Sequence, residues 1–204
     1  MDMGLDQLNN LLLNMANLSQ QAVSASIEAY SKGGKGTEVK QMSDRLQTLH
    51  RQVSDLAMEM IARYQPVATD LRFLKACMEI SYGFFRYGRY ALDIAEVLDM
   101  FGDIGKCDRT YVIDTARKTQ EMIRMSVEAF ARRDVEMARR IPTMDDAVDS
   151  SYRDNLRNMI QGKGNLKCSL SAALILRYLE RIADHAAFIG ETVEYIATGV
   201  EPQG

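Results

Sequence analysis

The stretch LSAALILRYLERIADHAAFIGETVEYIATG, residues 170–199, decides the fold of this chain. Its apolar residues recur in alternating steps of four and three, the spacing that brings side chains to one face of an α-helix. They are Ile175, Leu179, Ile182, Ala186, Ile189, Val193 and Ile196. Glu180 and Asp184 lie four residues apart, away from this stripe, so their carboxylates project from one side of the helix. The stretch therefore predicts a long amphipathic helix that carries a pair of acids.

The composition of the chain is that of a helical globular protein. Hydrophobic residues make up 47% of the 204 residues. The chain has 3 prolines, which leaves long stretches free to form helices. The 25 basic and 28 acidic residues give a net charge of −3, which argues against a dedicated nucleic-acid binder. No signal-peptide pattern opens the sequence, and no run approaches the roughly 20 apolar residues that span a bilayer. We expect a soluble protein that can still contact a membrane complex.

The cysteines indicate a reducing compartment. Cys77, Cys107 and Cys168 are odd in number, widely spaced and in no CxxC arrangement. We therefore expect neither a disulfide framework nor a zinc ribbon, and the cytoplasm is the simplest location.

Glycines and prolines divide the chain into six expected helices and leave no convincing strand pattern. We predict helices over about 5–31, 37–64, 67–101, 107–132, 134–160 and 165–199. Pro142 should mark a kink in the fifth helix or its true start. The glycine-rich segment 32–36 is read as an interhelical turn, because a phosphate-binding loop would need a preceding strand. Three residues are predicted helix caps: Thr37, Asp134 and Asn165.

The last helix has a copy 95 positions earlier in the chain. Shifted back by this distance, every residue of its apolar stripe falls on another apolar residue, Arg181 falls on Arg86, and Glu191 falls on Glu96. The matching residues are Ile80, Phe84, Tyr87, Ala91, Ile94, Leu98 and Phe101. The sequence therefore predicts a duplicated unit: an all-α fold of two antiparallel three-helix bundles, residues 1–104 and 105–204, related by a pseudo-twofold axis.

Two segments resemble the PhoU family of phosphate-signalling regulators. They are QPVATDLRFL at 65–74, with Asp70 and Arg72 in place, and YLERIADHAAFIGETVEYIATG at 178–199. The resemblance covers nearly the whole chain and implies two tandem three-helix domains. It also implies, for each domain, a metal site built from two acid-x-x-x-acid pairs on neighbouring helices.

The second half retains both implied acid pairs: Asp145 with Asp149, and Glu180 with Asp184. Four facing carboxylates repel one another, and a bound cation removes that cost. Oxygen ligands suit Mg²⁺, Mn²⁺, Ca²⁺ or iron better than thiolate and imidazole zinc sites do. The expected cofactor is a divalent or trivalent ion (iron, Mn, Mg or Zn), its identity left open. The alternative is that these acids form a solvated helix face.

The first half lacks the equivalent acids. The 95-residue offset puts Phe85 in place of Glu180 and Arg89 in place of Asp184. On the preceding helix, Ser43 and Gln47 are the expected counterparts of Asp145 and Asp149. An arginine repels a cation at close range, so we expect one metal site at most, in the C-terminal half. We expect His185 to pack at the bundle surface rather than to bind the metal.

The resemblance implies a cytoplasmic adaptor rather than an enzyme. Its expected partners are the ATPase of a phosphate ABC transporter or a phosphate sensor kinase or regulator, with peripheral contact to a membrane complex and no direct nucleic-acid binding. The adaptor would restrain uptake or signalling when phosphate is sufficient. Homodimerisation is expected from the exposed faces of the bundle. Two alternatives stay open: a metal-binding or metal-storage bundle with enzymatic activity, and a metal-free structural interaction module.

Overall fold

The computed structural model describes residues 1–32, 36–162 and 164–200, and within these ranges the regular structure is α-helical. The helices are α1 (Asp2–Lys32), α2 (Thr37–Tyr64), α3 (Ala68–Phe101), α4 (Thr110–Arg132), α5 (Val135–Arg140), α6 (Pro142–Ile160) and α7 (Leu166–Thr198). The all-α prediction is confirmed. None of the helices in these ranges combines the length and apolarity that crossing a membrane requires.

Two of the three predicted caps are confirmed. The Asp134 carboxylate accepts a hydrogen bond from the Met137 N–H at 2.9 Å, and the Asn165 side-chain oxygen accepts one from the Cys168 N–H at 3.2 Å. The prediction for Thr37 is wrong, because Thr37 is already helical and Gly36 precedes it as the cap residue. The predicted turn at 32–36 falls largely on residues 33–35, which lie outside the described residues.

The predicted fifth helix is two helices. Ile141 separates α5 from α6, and Pro142 occupies the start of α6. Proline has no N–H to donate and a φ angle that suits a helix start, so it ends α5 and begins α6 without leaving a donor unpaired. This late start places Asp145 in the first turn of α6.

α3 and α7, the corresponding helices of the two halves, pack against each other in the centre of the molecule. α1 and α2 cover α3, while α4, α5 and α6 cover α7. Both predicted stripes are buried, except that their last members, Phe101 and Ile196, are half-buried. Gly83 permits the close approach, because a Cβ there would lie 2.8 Å from Cδ1 of Ile189. The repeated apolar stripes thus form the shared core.

A disulfide joins Cys107 to Cys168, with their Cα atoms 5.4 Å apart. The expectation that the chain has no disulfide is therefore wrong, and the cysteines no longer indicate a reducing compartment. Cys77 is free and buried. The reason for the disulfide is topological: α4, the α5–α6 pair and α7 follow one another in alternating directions, so the N-terminal ends of α4 and α7 lie at the same end of the bundle. Lys167 reinforces this junction by donating to the Asp103 carbonyl at 2.7 Å.

Candidate metal centre

Three of the four predicted acids meet between α6 and α7. Each of Asp145, Asp149 and Asp184 offers one carboxylate oxygen, and these oxygens lie within 4.8 Å of one another. Ligands on opposite sides of a cation, each about 2.0 to 2.6 Å from it, are separated by about 4 to 5 Å. The three carboxylates are therefore spaced to share a single ion. We call this group the carboxylate cluster.

Unpaired oxygens give an independent test of whether a cation fits. Oδ1 of Asp145 and Oδ1 of Asp149 are both buried, and neither has a hydrogen-bond partner within the described ranges. Buried polar atoms are normally paired, because an unpaired one loses its hydration without compensation. Carboxylate oxygens without donors are the ligands that hard cations prefer. The cluster fits a cation on both counts.

The electrostatics of the cluster point in the same direction. Burial, followed by the charges of Asp184, Asp149 and Glu180, raises the pKa of Asp145 from its usual 3.8 to about 6. Burial is also the largest influence on Asp184, where it raises the carboxyl pKa although Arg181 opposes it. Both effects disfavour the charged carboxylate, and a positive ion in the cluster would relieve them.

Three of the four predicted acids form ion pairs with arginines one helical turn away, and two of these acids belong to the carboxylate cluster. Arg153 donates to Asp149 at 2.5 Å, and Arg181 donates to Asp184 at 3.3 Å. In both pairs the arginine is exposed and the acid is half-buried, and contacts that solvent reaches in this way stabilise little. Sequence reasoning overlooked these arginines, although their three- and four-residue spacing from the acids could have revealed them.

Glu180 lies outside the carboxylate cluster. Arg177 donates to both of its carboxylate oxygens, and burial raises the Glu180 pKa against the influence of this arginine. The guanidinium of Arg177 also lies over the Tyr152 ring, 5.6 Å from its centroid. The structure therefore places Glu180 beside the cluster, where its charge acts on Asp145, and its role as a ligand stays a prediction.

The first half places an aromatic stack where the second half has acids. Phe85, the counterpart of Glu180, stacks on His50 with ring centroids 5.6 Å apart. Arg89, the counterpart of Asp184, pairs with Asp93 at 3.2 Å. Within the described ranges, no group of three or more acids, histidines or cysteines other than the carboxylate cluster brings its ligand atoms together.

His185 points into a group of aromatic side chains between α3 and α7. Its ring stacks on Tyr90 and meets the edge of Tyr82, with centroid distances of 5.9 and 5.8 Å. Burial, together with the nearby Arg86 and Arg181, lowers the pKa of His185 to about 4. The predicted packing role of this histidine agrees with these contacts.

The sequence is similar to known proteins along nearly the whole chain. The family model described as the PhoU domain matches twice, over residues 12–98 and 112–193. A phosphate-specific transport system accessory protein PhoU homolog from Pseudomonas putida is 30% identical, over 97% of this chain and 80% of that protein. The homolog of the same description from Pseudomonas aeruginosa is 28% identical, over 97% and 85%.

Solved structures agree with the sequence matches. The crystal structure of PhoU from Pseudomonas aeruginosa superposes with a TM-score of 0.88 at 27% identity, covering 98% of this chain and 99% of that one. The phosphate transport system regulatory protein PhoU from Streptococcus pneumoniae has the same fold, with a TM-score of 0.76 at 20% identity and coverage of 100% and 99%. Because the domain model matches in tandem and covers well over half of the sequence, this chain belongs to the PhoU family.

Proposed function

We propose that this chain is a cytoplasmic accessory protein of a phosphate-specific transport system, acting as a metal-binding adaptor rather than as an enzyme. The observation that carries the proposal is the end-to-end similarity to relatives named as accessory proteins of such a system. The adaptor docks on the transporter ATPase or on a phosphate sensor kinase or regulator. It restrains uptake or signalling when phosphate is sufficient, and it acts as a homodimer at the membrane complex without binding nucleic acid.

The carboxylate cluster supports the metal part of this proposal. Asp145, Asp149 and Asp184 would hold the ion, and Glu180 would add negative charge beside it. The bound ion would supply positive charge that lets the carboxylates stay ionised at neutral pH. Iron, manganese, magnesium and zinc are all candidates, and oxygen-only ligation favours the harder ions among them.

Metal analysis of protein purified without chelator tests the cluster. We expect stoichiometric metal, or saturable binding of Mn²⁺ or iron, that is lost in Asp149→Asn and in Asp184→Asn. Asp154→Asn is the matched control, because Asp154 lies on the same helix but pairs with Arg157 at an exposed site. Absence of binding at every tested ion concentration would leave a metal-free interaction module, and turnover by the loaded protein would favour an enzyme.

Capture experiments test the adaptor part separately. The tagged full-length chain should co-purify with the transporter ATPase or with the sensor, in amounts that depend on the phosphate supply of the cells. The Asp149→Asn variant measures whether the cluster contributes to docking. Failure to capture either partner at both low and high phosphate would contradict the adaptor role and leave the metal result standing.

A further inference from the structure

A second polar site lies at the opposite end of α7 from its disulfide-linked N-terminus. Helix α1, the start of α3, the end of α4 and the end of α7 enclose a cavity of about 500 Å³. Its polar groups come from Asn9 of α1, Thr69, Arg72 and Arg133. Phe73, Phe130 and Ile196 supply apolar walls. We call this cavity the arginine pocket. Its volume lies within the range of small-molecule sites.

Among the described residues, the charge of the arginine pocket has no carboxylate to neutralise it. Two guanidinium groups line the pocket, and its described lining residues include no acid. In the ranges that the structure describes, neither Arg72 nor Arg133 forms an ion pair, whereas the arginines around the carboxylate cluster all do. Arg133 lies over the Phe73 ring, 5.6 Å from its centroid, which holds it against the pocket wall. The half-buried Arg72 and the exposed Arg133 together offer two positive charges, which match a dianion.

Arg72 carries a further unmet requirement. Its terminal nitrogen donates to the Thr69 hydroxyl at 3.2 Å, but its Nε is buried and has no acceptor within the described residues. The guanidinium lies beside Gly199, where an added Cβ would come within 3.6 Å of Cζ, so the end of α7 positions it. A buried donor without an acceptor is costly, and an oxygen atom from a ligand would satisfy it.

The start of α3 adds donors to the same place. Val67 precedes α3 and gives no side-chain cap, so the first N–H groups of this 34-residue helix lack a capping oxygen from that residue. The N–H groups at a helix start favour anions. The first turn carries the Thr69 hydroxyl, which lines the pocket, and the Asp70 carboxylate, which is outside its described lining. The helix start, the hydroxyl and two guanidinium forks together form the donor set that phosphate oxygens accept from.

We propose that the arginine pocket binds the phosphate group of a small molecule, either orthophosphate itself or a phosphate monoester whose body lies on the apolar walls. The inference goes beyond the metal-binding adaptor and uses no residue of the carboxylate cluster. It assigns a role to the arginine of the QPVATDLRFL segment, which the metal site does not use.

Calorimetric titration of the full-length, chelator-treated protein tests the proposal with orthophosphate, with AMP as a monoester, and with chloride as the reference salt. We expect saturable binding of orthophosphate or AMP, and Arg72→Gln and Arg133→Asn should each weaken it about tenfold or more, as expected for a lost charge-assisted hydrogen bond. Asparagine is chosen at 133 because the backbone there has φ 54°, which asparagine tolerates. An affinity for AMP above that for orthophosphate would show that the apolar walls contact the body of a monoester. Equal affinities would show that orthophosphate itself is the ligand.

Matched variants separate this proposal from its alternatives. Arg117→Gln removes an exposed, paired arginine of α4 and should leave the affinity unchanged. Arg72→Lys keeps the charge but loses the planar fork, so it should bind with intermediate affinity even if Arg72→Gln folds poorly. Asp149→Asn should bind the phosphate group normally, because it alters only the carboxylate cluster. Undetectable binding at millimolar ligand, or equal binding by the wild type and both pocket variants, would overturn the proposal.

Discussion

Replacing Asp145 by asparagine should stabilise the metal-free protein. The pKa of this carboxyl rises from 3.8 to about 6 on folding, a difference that corresponds to about 3 kcal/mol of destabilisation at neutral pH. Asp145 is only half-buried, so solvent screening reduces the figure to about 1 to 2 kcal/mol. Asparagine also gives up a negative charge in the first turn of α6, which costs about 0.3 to 1 kcal/mol. The net expectation is a gain of about 1 kcal/mol.

The pH dependence of this effect has a definite sign. Between about pH 4 and pH 6 the folded protein holds a proton on Asp145 that the unfolded chain has released, so this group lowers stability as the pH rises through that range. Above pH 6 the penalty is fully present. The advantage of Asp145→Asn over the wild type should therefore be largest at pH 7.5 and should shrink at pH 5.

Guanidinium chloride unfolding with chelator present, at both pH values, measures the difference. Asp154→Asn, the exposed acid on the same helix, serves as the control and should change stability by less than about 0.5 kcal/mol. A destabilised Asp145→Asn protein at pH 7.5, or a difference that does not vary with pH, would refute the account of a carboxyl whose pKa is raised by burial and by its acidic neighbours. With saturating metal the order should reverse, because the wild type alone then gains the full binding energy.

Three further predictions concern the scaffold. Cys107→Ser opens a loop of sequence separation 61 and should lower the free energy of unfolding by up to about 4 kcal/mol, seen as a lower Tm that reductant reproduces in the wild type. Leu179→Ala should cost about 2 to 5 kcal/mol in chemical denaturation, because this side chain is fully buried between the helices. Gly190→Ala should destabilise by about 1 to 3 kcal/mol, although alanine favours helix, because its Cβ would lie 2.7 Å from the Ala138 carbonyl oxygen; a stabilised variant would disprove this contact.

Local patterns in the sequence predicted the framework well. The stripe on α7 and its copy on α3 are both buried apart from their last members, because residues three and four apart form one apolar face of a helix. The breaks at Gln65–Pro66 and Gly102 end helices where predicted, since proline and glycine act on the backbone directly. The boundary between the two halves at residues 104 and 105 stays a prediction.

Contacts between distant segments could not be read in the same way. The disulfide joins cysteines whose separation forms no motif, and only the alternating directions of α4, α6 and α7 bring them together. Spacing alone put Glu180 and Asp184 on one side of α7, but it could not show that Asp184 meets the acids of α6 while Glu180 lies beside the cluster. The residues that line the arginine pocket come from several helices, so no single stretch of the sequence predicts it.

The difference between the two halves leads to a prediction about stoichiometry. Where the second half gathers carboxylates that repel one another, the first half stacks Phe85 on His50 and pairs Arg89 with Asp93, so its counterpart positions have no excess charge for a cation to relieve. Metal content should therefore saturate at one site per chain, and Asp184→Asn should remove all of it while Asp93→Asn removes none. Metal retained by the Asp184→Asn protein would show that the first half binds an ion through other groups, and the division of roles between the halves would be wrong.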